Sequence, residues 1–489
     1  MKHTNSIIYI LFLLLATGCG GSGGGGSTDG ASTDDPPLTG GIGRTGVSFG
    51  PITTFGSVVV NGVRYDTGTA TFSINGSPGT QDDLSVGDVI TVKGSIDDNG
   101  VDGTADEVIF DDNVKGPIQG LDSAANQLVV LGQLVQINGD TSFDDSISPA
   151  SIDGLELGDI VEVSGLVDAT GVISATRIEL ETGATEFEVL GVVTDLNTTT
   201  MRFNINDLII DYSGAALENF GADQISNDDF VEAKGASLGP AGELLATRVE
   251  LKNAFPATED GDYAEIQGFI TRFVSPDDFD VAGFPVTTTG STVYEGGDAS
   301  DLGPDIKVEV EGDINSAGVL VATEVDIRRA KAVRVTANVD SVNATSGSLV
   351  VLGITTTVDE LTRLEDKSDA DVRPLTLADI NAGDYIEVRG SEFPADSGEI
   401  LATILERDDP DTETSLRGFV ETVTEPAITI LGVTIQTGPG TVFRDAADNV
   451  LSSTDFFGQI SAGSLIDAKG TESAASVITA DEVEIELEF

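Results

Sequence analysis

The chain has almost none of the side chains on which most enzyme chemistry depends. Of its 489 residues one is His, one is Cys and none is Trp. The His is His3 and the Cys is Cys19, so everything beyond residue 19 lacks both. That excludes a Ser-His-Asp triad, a Cys nucleophile and an imidazole- or thiolate-ligated zinc site from the bulk of the chain. A disulfide within one chain is excluded as well. Cations are scarce: 24 Lys and Arg stand against 83 Asp and Glu, a formal net charge of −59. Such a polyanion repels phosphate backbones and bare anionic lipid, so nucleic acid is not an expected partner. Carboxylate-pair chemistry is the catalytic class left open, and the acids are too numerous for any pair to stand out.

Long hydrophobic runs are missing too. The apolar stretch from Ile7 to Leu15 is too short to span a bilayer; Lys2 precedes it and the small residues Ala16-Thr17-Gly18-Cys19 follow. This resembles the lipobox of bacterial lipoproteins. The resemblance implies cleavage before Cys19 and attachment of acyl chains to that residue, enough for stable membrane anchoring. Residue 20 is Gly rather than Asp, which by the same resemblance favours the outer membrane of a Gram-negative cell. Removal of residues 1–18 leaves 23 − 83 = −60 formal charges. Residues 19–46 are mostly Gly, Ser, Thr, Asp and Pro and form a lipidated flexible tether reaching roughly 30 Å.

What is present, six times, is one pattern. A strand with Gly-Asp-x-φ-x-φ-x-Gly (φ apolar) is followed by Gly-x-φ-x-Ala-Thr-x-φ-x-φ. In the second copy these are Gly158-Asp159-Ile160-Val161-Glu162-Val163-Ser164-Gly165 and Gly171-Val172-Ile173-Ser174-Ala175-Thr176-Arg177-Ile178-Glu179-Leu180. The Gly-Asp dipeptide recurs at Gly87-Asp88 and Gly383-Asp384, with Asp228-Asp229, Pro304-Asp305 and Gly463-Ser464 as variants. Each copy also holds a Gly-φ-φ start (Gly116-Pro117-Ile118), an alternating strand closed by Gly (Leu128-Val129-Val130-Leu131-Gly132) and a Thr-x-aromatic step (Thr141-Ser142-Phe143). Period-two alternation buries one face of each strand. The Asp is expected to bond backbone N–H groups at its turn, and the second Gly to end the strand. The repeats fall at 47–112, 114–181, 186–253, 263–328, 331–408 and 413–489. The expected fold is all-β: a tandem array of six small OB-like barrels behind a lipoprotein signal and flexible linker. Short spacers point to a semi-rigid rod or arc.

The pattern resembles the domain of unknown function DUF5666, found in tandem in bacterial envelope proteins. It implies a small β-barrel and no defined activity. OB barrels often bind oligosaccharides or nucleic acids on one face, an analogy of fold alone.

Four local features could carry chemistry. Asp97, Asn99 and Asp102 space oxygen ligands around Gly100 and form a candidate calcium loop, although Val101 breaks the EF-hand spacing; a polar hairpin is the plainer reading. Arg328-Arg329-Ala330-Lys331-Ala332-Val333-Arg334 is the one dense basic run, suited to pairing with acidic neighbours at the junction of repeats four and five, or else to docking an anionic partner. Residues 359–378 are extra sequence in the fifth repeat, a short helix or long loop over a barrel end. Phe49, Phe55, Phe269 and Phe419 could form a stacking platform, although their strand-like positions favour core filling. Together these readings describe a non-catalytic acidic envelope lipoprotein with possible protein or polysaccharide partners. The alternatives are a divalent-cation-dependent polysaccharide binder and a carboxylate-dependent hydrolase.

Overall fold

The second repeat shows how the pattern folds. Val114–Asp122 and Gln127–Val130 form a hairpin, and Gln127–Val130 turns again into Gln133–Gln136. Ile160–Val167 and Ile173–Leu180 form a third hairpin. Gln133–Gln136 runs parallel to Ile173–Leu180, and Val114–Asp122 runs antiparallel to Ile160–Val167. The sheet therefore closes in the order one, two, three, five, four, one, the expected OB-like barrel, and closure removes its edges. A short accessory strand, Ser142–Phe143, pairs with strand five. Repeats one, four, five and six close in the same order. Repeat three breaks its first strand into Phe187–Val192 and Thr194–Asn197, and its last into Leu244–Leu245 and Arg248–Leu251. This computed structural model describes residues 44–486, apart from 56, 98–99, 184–185, 222–223, 254, 256–257, 328–332, 360, 395–396 and 447–448.

The repeated residues are one interlocking knot. Strand four does not end at its second glycine, contrary to the sequence expectation: Ile160–Val167 runs through Gly165. At Gly165 the register slips against strand five, making a β-bulge. A Cβ there would overlap the carbonyl oxygen of Ser174. Ala175 lies opposite, and the hydroxyl of Thr176 donates to the Ser164 carbonyl at 3.1 Å. The same bond recurs from Thr247 to Lys234, Thr323 to Glu311 and Thr403 to Arg389. The Thr of the Thr-x-aromatic step locks this corner from outside, with Thr141 donating to the Ala175 carbonyl at 2.7 Å.

Turns account for the remaining signals. Leu131 and Gly132 take φ of 46° and 70°, as a two-residue type I′ hairpin requires. A left-handed Leu is strained, but its side chain is fully buried over Gly116, where a Cβ would lie 2.5 Å from Leu131 Cγ. The Gly-Asp aspartates act as expected: Asp159 accepts from the Glu156 N–H at 2.8 Å, and Asp88, Asp229 and Asp384 do the same three residues back. Ser464 substitutes a hydroxyl at 3.0 Å. In repeat four the sequence register was one residue out. Asp305 (φ 61°) holds the glycine position and Ile306 the aspartate position, since the Asp305 N–H donates to Ile270 O as Gly158 donates to Ile118 O.

The barrels do not follow one another as a rod or arc. First strands pair across repeats: Val114 lies opposite Val189 in repeats two and three, and Val335 opposite Leu416 in repeats five and six. These two pairs each share one continuous apolar core. Repeat one instead pairs with repeat four, in parallel, Val47 beside Ala264 and Phe49 beside Ile266. The described residues from 44 to 486 are thus one compact unit. The first barrel begins earlier than expected, because Arg44, Thr45 and Gly46 pair with Ile96, Ser95 and Gly94 rather than belonging to the tether. Residues 359–378 form no α-helix among those described. They supply the strand Arg363–Asp366, a loop and the 3₁₀ turn Leu377–Asp379, and Thr54 donates to Leu375 O across to barrel one.

Candidate functional site

The chain's scarce cations collect where barrels meet. Strand five of barrel two carries Arg177, one residue past Ala175-Thr176; it bonds Glu179 beside it, reaches Glu365 of barrel five at 3.5 Å and donates to Val86 O of barrel one at 3.1 Å. From barrel five, Arg389 donates to Thr141 O at 2.6 Å and pairs with Glu387 and Glu406. Lys367 donates to Phe143 O and pairs with Glu406 at 3.3 Å. Arg363 donates to the carbonyls of Thr176 and Asp140, and Lys307 of barrel four pairs with Asp140 at 2.8 Å. Barrels one, two, four and five therefore meet in a buried charged hub. Burial would lower the guanidinium of Arg177, but Glu365 and Glu179 hold it above its ordinary value.

A second charged junction joins barrels one, two and three around 111–113. Lys234 bonds Glu188 and the Asn75 carbonyl, and Lys252 pairs with Asp111 at 2.8 Å. Asp112 is 1% exposed, and among the described residues neither of its carboxylate oxygens has a hydrogen-bond partner. Burial, then Glu162 and Glu188, push its carboxyl well above the usual range.

Only part of the sequence-predicted site can be placed. Asp97 and Asp102 flank the hairpin between strands four and five of barrel one; the Asp97 N–H donates to Asp102 O at 2.8 Å and Gly100 N–H to Asp97 O at 3.0 Å. Asn99 and Cys19 lie outside the described residues. Among the described residues no group of three His, Cys, Asp or Glu is placed to hold a metal ion. No described helix is long and apolar enough to cross a membrane. Of the basic run, 328–332 lie outside the described residues, while Arg334 pairs with Asp467 of barrel six at 2.8 Å. Phe49 packs edge-on against Phe255, centroids 5.1 Å apart.

A profile described as a domain of unknown function, DUF5666, matches residues 49–108, 115–179, 183–250, 267–326, 336–406 and 417–484. The chain belongs to the DUF5666 family. No curated protein matches it. Within this DUF5666 chain the sequence motifs mark the scaffold, and Arg177, Lys234, Arg248 and Arg389 occupy the motifs' variable positions. Residue x of Ala-Thr-x is Arg177 in barrel two and Arg248 in barrel three; the residue before the bulge glycine is Lys234 in barrel three and Arg389 in barrel five. The signal that could have found them is scarcity, since in a polyanion a cation repeated at a strand position has a reason to be there.

Proposed function

We propose that this chain is a non-catalytic, acidic envelope lipoprotein, anchored through Cys19, that presents six DUF5666 barrels as one body for binding or structural duty. What supports the reading is the use made of the cations. Eight of the 24 Lys and Arg are spent on joints between barrels, Arg177, Lys234, Lys252, Lys307, Arg334, Arg363, Lys367 and Arg389, while only ten of the 83 acids are found buried among the described residues. Such a body repels other polyanions unless a cation bridges them. Divalent-cation-dependent binding of an envelope polysaccharide is accordingly the second reading. The Asp97–Asp102 hairpin, with Asn99, is its nearest candidate for a calcium ligand set.

The test is a thermal melt of the full-length chain with calcium, with chelator, and with monovalent salt at equal ionic strength. A ligand at 100 times its dissociation constant adds about 2.7 kcal/mol to the state that binds it. A rise of several degrees in calcium alone supports the bridging reading. Superimposable curves leave the acidity a matter of solubility and surface protection. The anchor is tested separately: Cys19→Ala should release the protein from the membrane fraction, and continued membrane residence would sink that part of the reading.

A further inference from the structure

The segment 111–113 joins barrel one to barrel two and is held from three sides. The Asp112 N–H donates to Asn75 Oδ1 of barrel one at 3.0 Å. Asn113 accepts the Gly165 N–H of barrel two on its side chain at 2.7 Å and the Leu190 N–H of barrel three on its carbonyl at 2.9 Å. Barrel one touches barrel three through the turn Asn75-Gly76, which links Thr71–Ile74 to Ser77–Gly79. The Asn75 carbonyl accepts from Lys234 at 2.9 Å, and a Cβ on Gly76 would lie 3.0 Å from the Arg248 guanidinium.

Asp112 stands inside this joint with no donor for either carboxylate oxygen among the described residues. The charged side chains that act on it are Lys115 and Glu162, from strands one and four of barrel two, and Glu188 and Lys234, from strands one and four of barrel three. Asp111 is its neighbour in the segment. Both cations are already committed. Lys115 holds Glu162 at 2.8 Å and Glu181 at 3.0 Å, and Lys234 holds Glu188, with Glu232 at 3.3 Å. An ionised Asp112 would add a further buried negative charge beside Glu162 and Glu188, with no hydrogen bond to meet it. Burial and those two acids favour the uncharged carboxyl instead.

We propose that this joint is a proton-operated latch on barrel one. With Asp112 uncharged, the Asn75-Gly76 turn stays seated on barrel three. When Asp112 ionises, the turn leaves its seat and the Asp112–Asn75 bond breaks, because opening gives the carboxylate water and separates it from Glu162 and Glu188. The parallel pairing with barrel four and the Arg177 bond to Val86 O do not involve Asp112, so the opening is local to the contact of barrels one and three.

Amide hydrogen exchange on the full-length chain from pH 5 to 9, corrected for the intrinsic rate at each pH, decides it. The closed latch is fully stable below the ordinary carboxyl range and weakens as pH rises. One proton lowers the protection of segment 111–113 by about tenfold per pH unit until the folded value of Asp112 is passed. Strands Thr414–Thr424 and Leu465–Ala474 of barrel six are the reference and should keep their protection. Asp112→Asn cannot ionise and should flatten the slope to what Asp111 contributes, whose carboxyl burial also raises, Lys252 opposing. Protection of 111–113 that does not change with pH in the wild type overturns the proposal. So does a loss shared equally by barrel six, and so does a wild-type slope that persists in Asp112→Asn.

Discussion

Gly165 is confined by backbone rather than by side chain, and that decides what a substitution there does. A flexible neighbour could swing away from a new methyl group; the carbonyl of Ser174 cannot without breaking the sheet. Gly165→Ala should therefore destabilise by about 1–3 kcal/mol, the usual range for overpacking. Gly214→Ala is the control. That residue is exposed, and a Cβ there meets nothing within 4 Å, so its change should stay within about 0.5 kcal/mol. Urea unfolding of the two variants measures both, and equal losses would mean that the bulge contact is relieved by a shift of the strand. The same reasoning applies at Gly94, Gly235, Gly312, Gly390 and Gly470, each facing a carbonyl oxygen of strand five, and gives the sixfold glycine a physical cause without any ligand.

Between elements, the joints are set by charge. Arg389 occupies a strand position where an apolar residue would fill space equally well, yet it holds Glu387, Glu406 and the Thr141 carbonyl of another barrel. Arg389→Met would leave two buried carboxylates short of a partner, a change that typically costs about 3–5 kcal/mol. Adding Glu406→Gln should restore part of the loss, because the two sites share one network. Full additivity in that double-mutant cycle would show that the pair is not coupled. The hairpins and closed barrels were legible in the sequence because their cues are local: alternation, a turn glycine, an Ala-Thr against a bulge. The joints were not legible. Nothing in Val47–Phe49 announces that its parallel partner is Ala264–Ile266, with two other barrels intervening in sequence. The register slip at Asp305 has the same origin, since residue types make up the motif while the position is defined by a backbone dihedral and by the bond to Ile270. Arg363 and Lys307 lie in different repeats, and only the packing of those repeats brings both to Asp140 of barrel two.

Taken whole, a molecule with 83 acids and buried carboxyls on both sides of the normal range has a predictable response to pH. Asp88 is pushed up to about 8 by burial, Arg177 opposing, and Asp112 is raised by burial with Glu162 and Glu188. Burial, then Glu406, lifts Asp408 to about 6. A carboxyl raised in the folded state is protonated in both states below about pH 4, so its stability is fully present there. As pH rises the unfolded chain ionises first, and stability falls until the pH passes the folded value. Asp366 and Glu387 act in the other direction. Despite the opposing effect of burial, bonds from Arg407 and Ser368 in the first case, and Arg389 with Arg334 in the second, hold these carboxyls below their ordinary range. The stability they contribute is present above about pH 4 and is lost as pH falls toward their folded values. The two sets leave a maximum at about pH 4, with a decline toward pH 8 that self-repulsion of the ionised surface reinforces. Urea midpoints measured from pH 3 to 9 should trace that dome. Asp112→Asn removes one raised carboxyl without changing its shape, so it should gain stability over wild type at pH 8 and show little difference at pH 4. An unchanged slope between pH 5 and 8 in that variant would mean that Asp112 is ionised in the folded protein, its charge met by Lys115 and Lys234, and that the decline belongs to the surface.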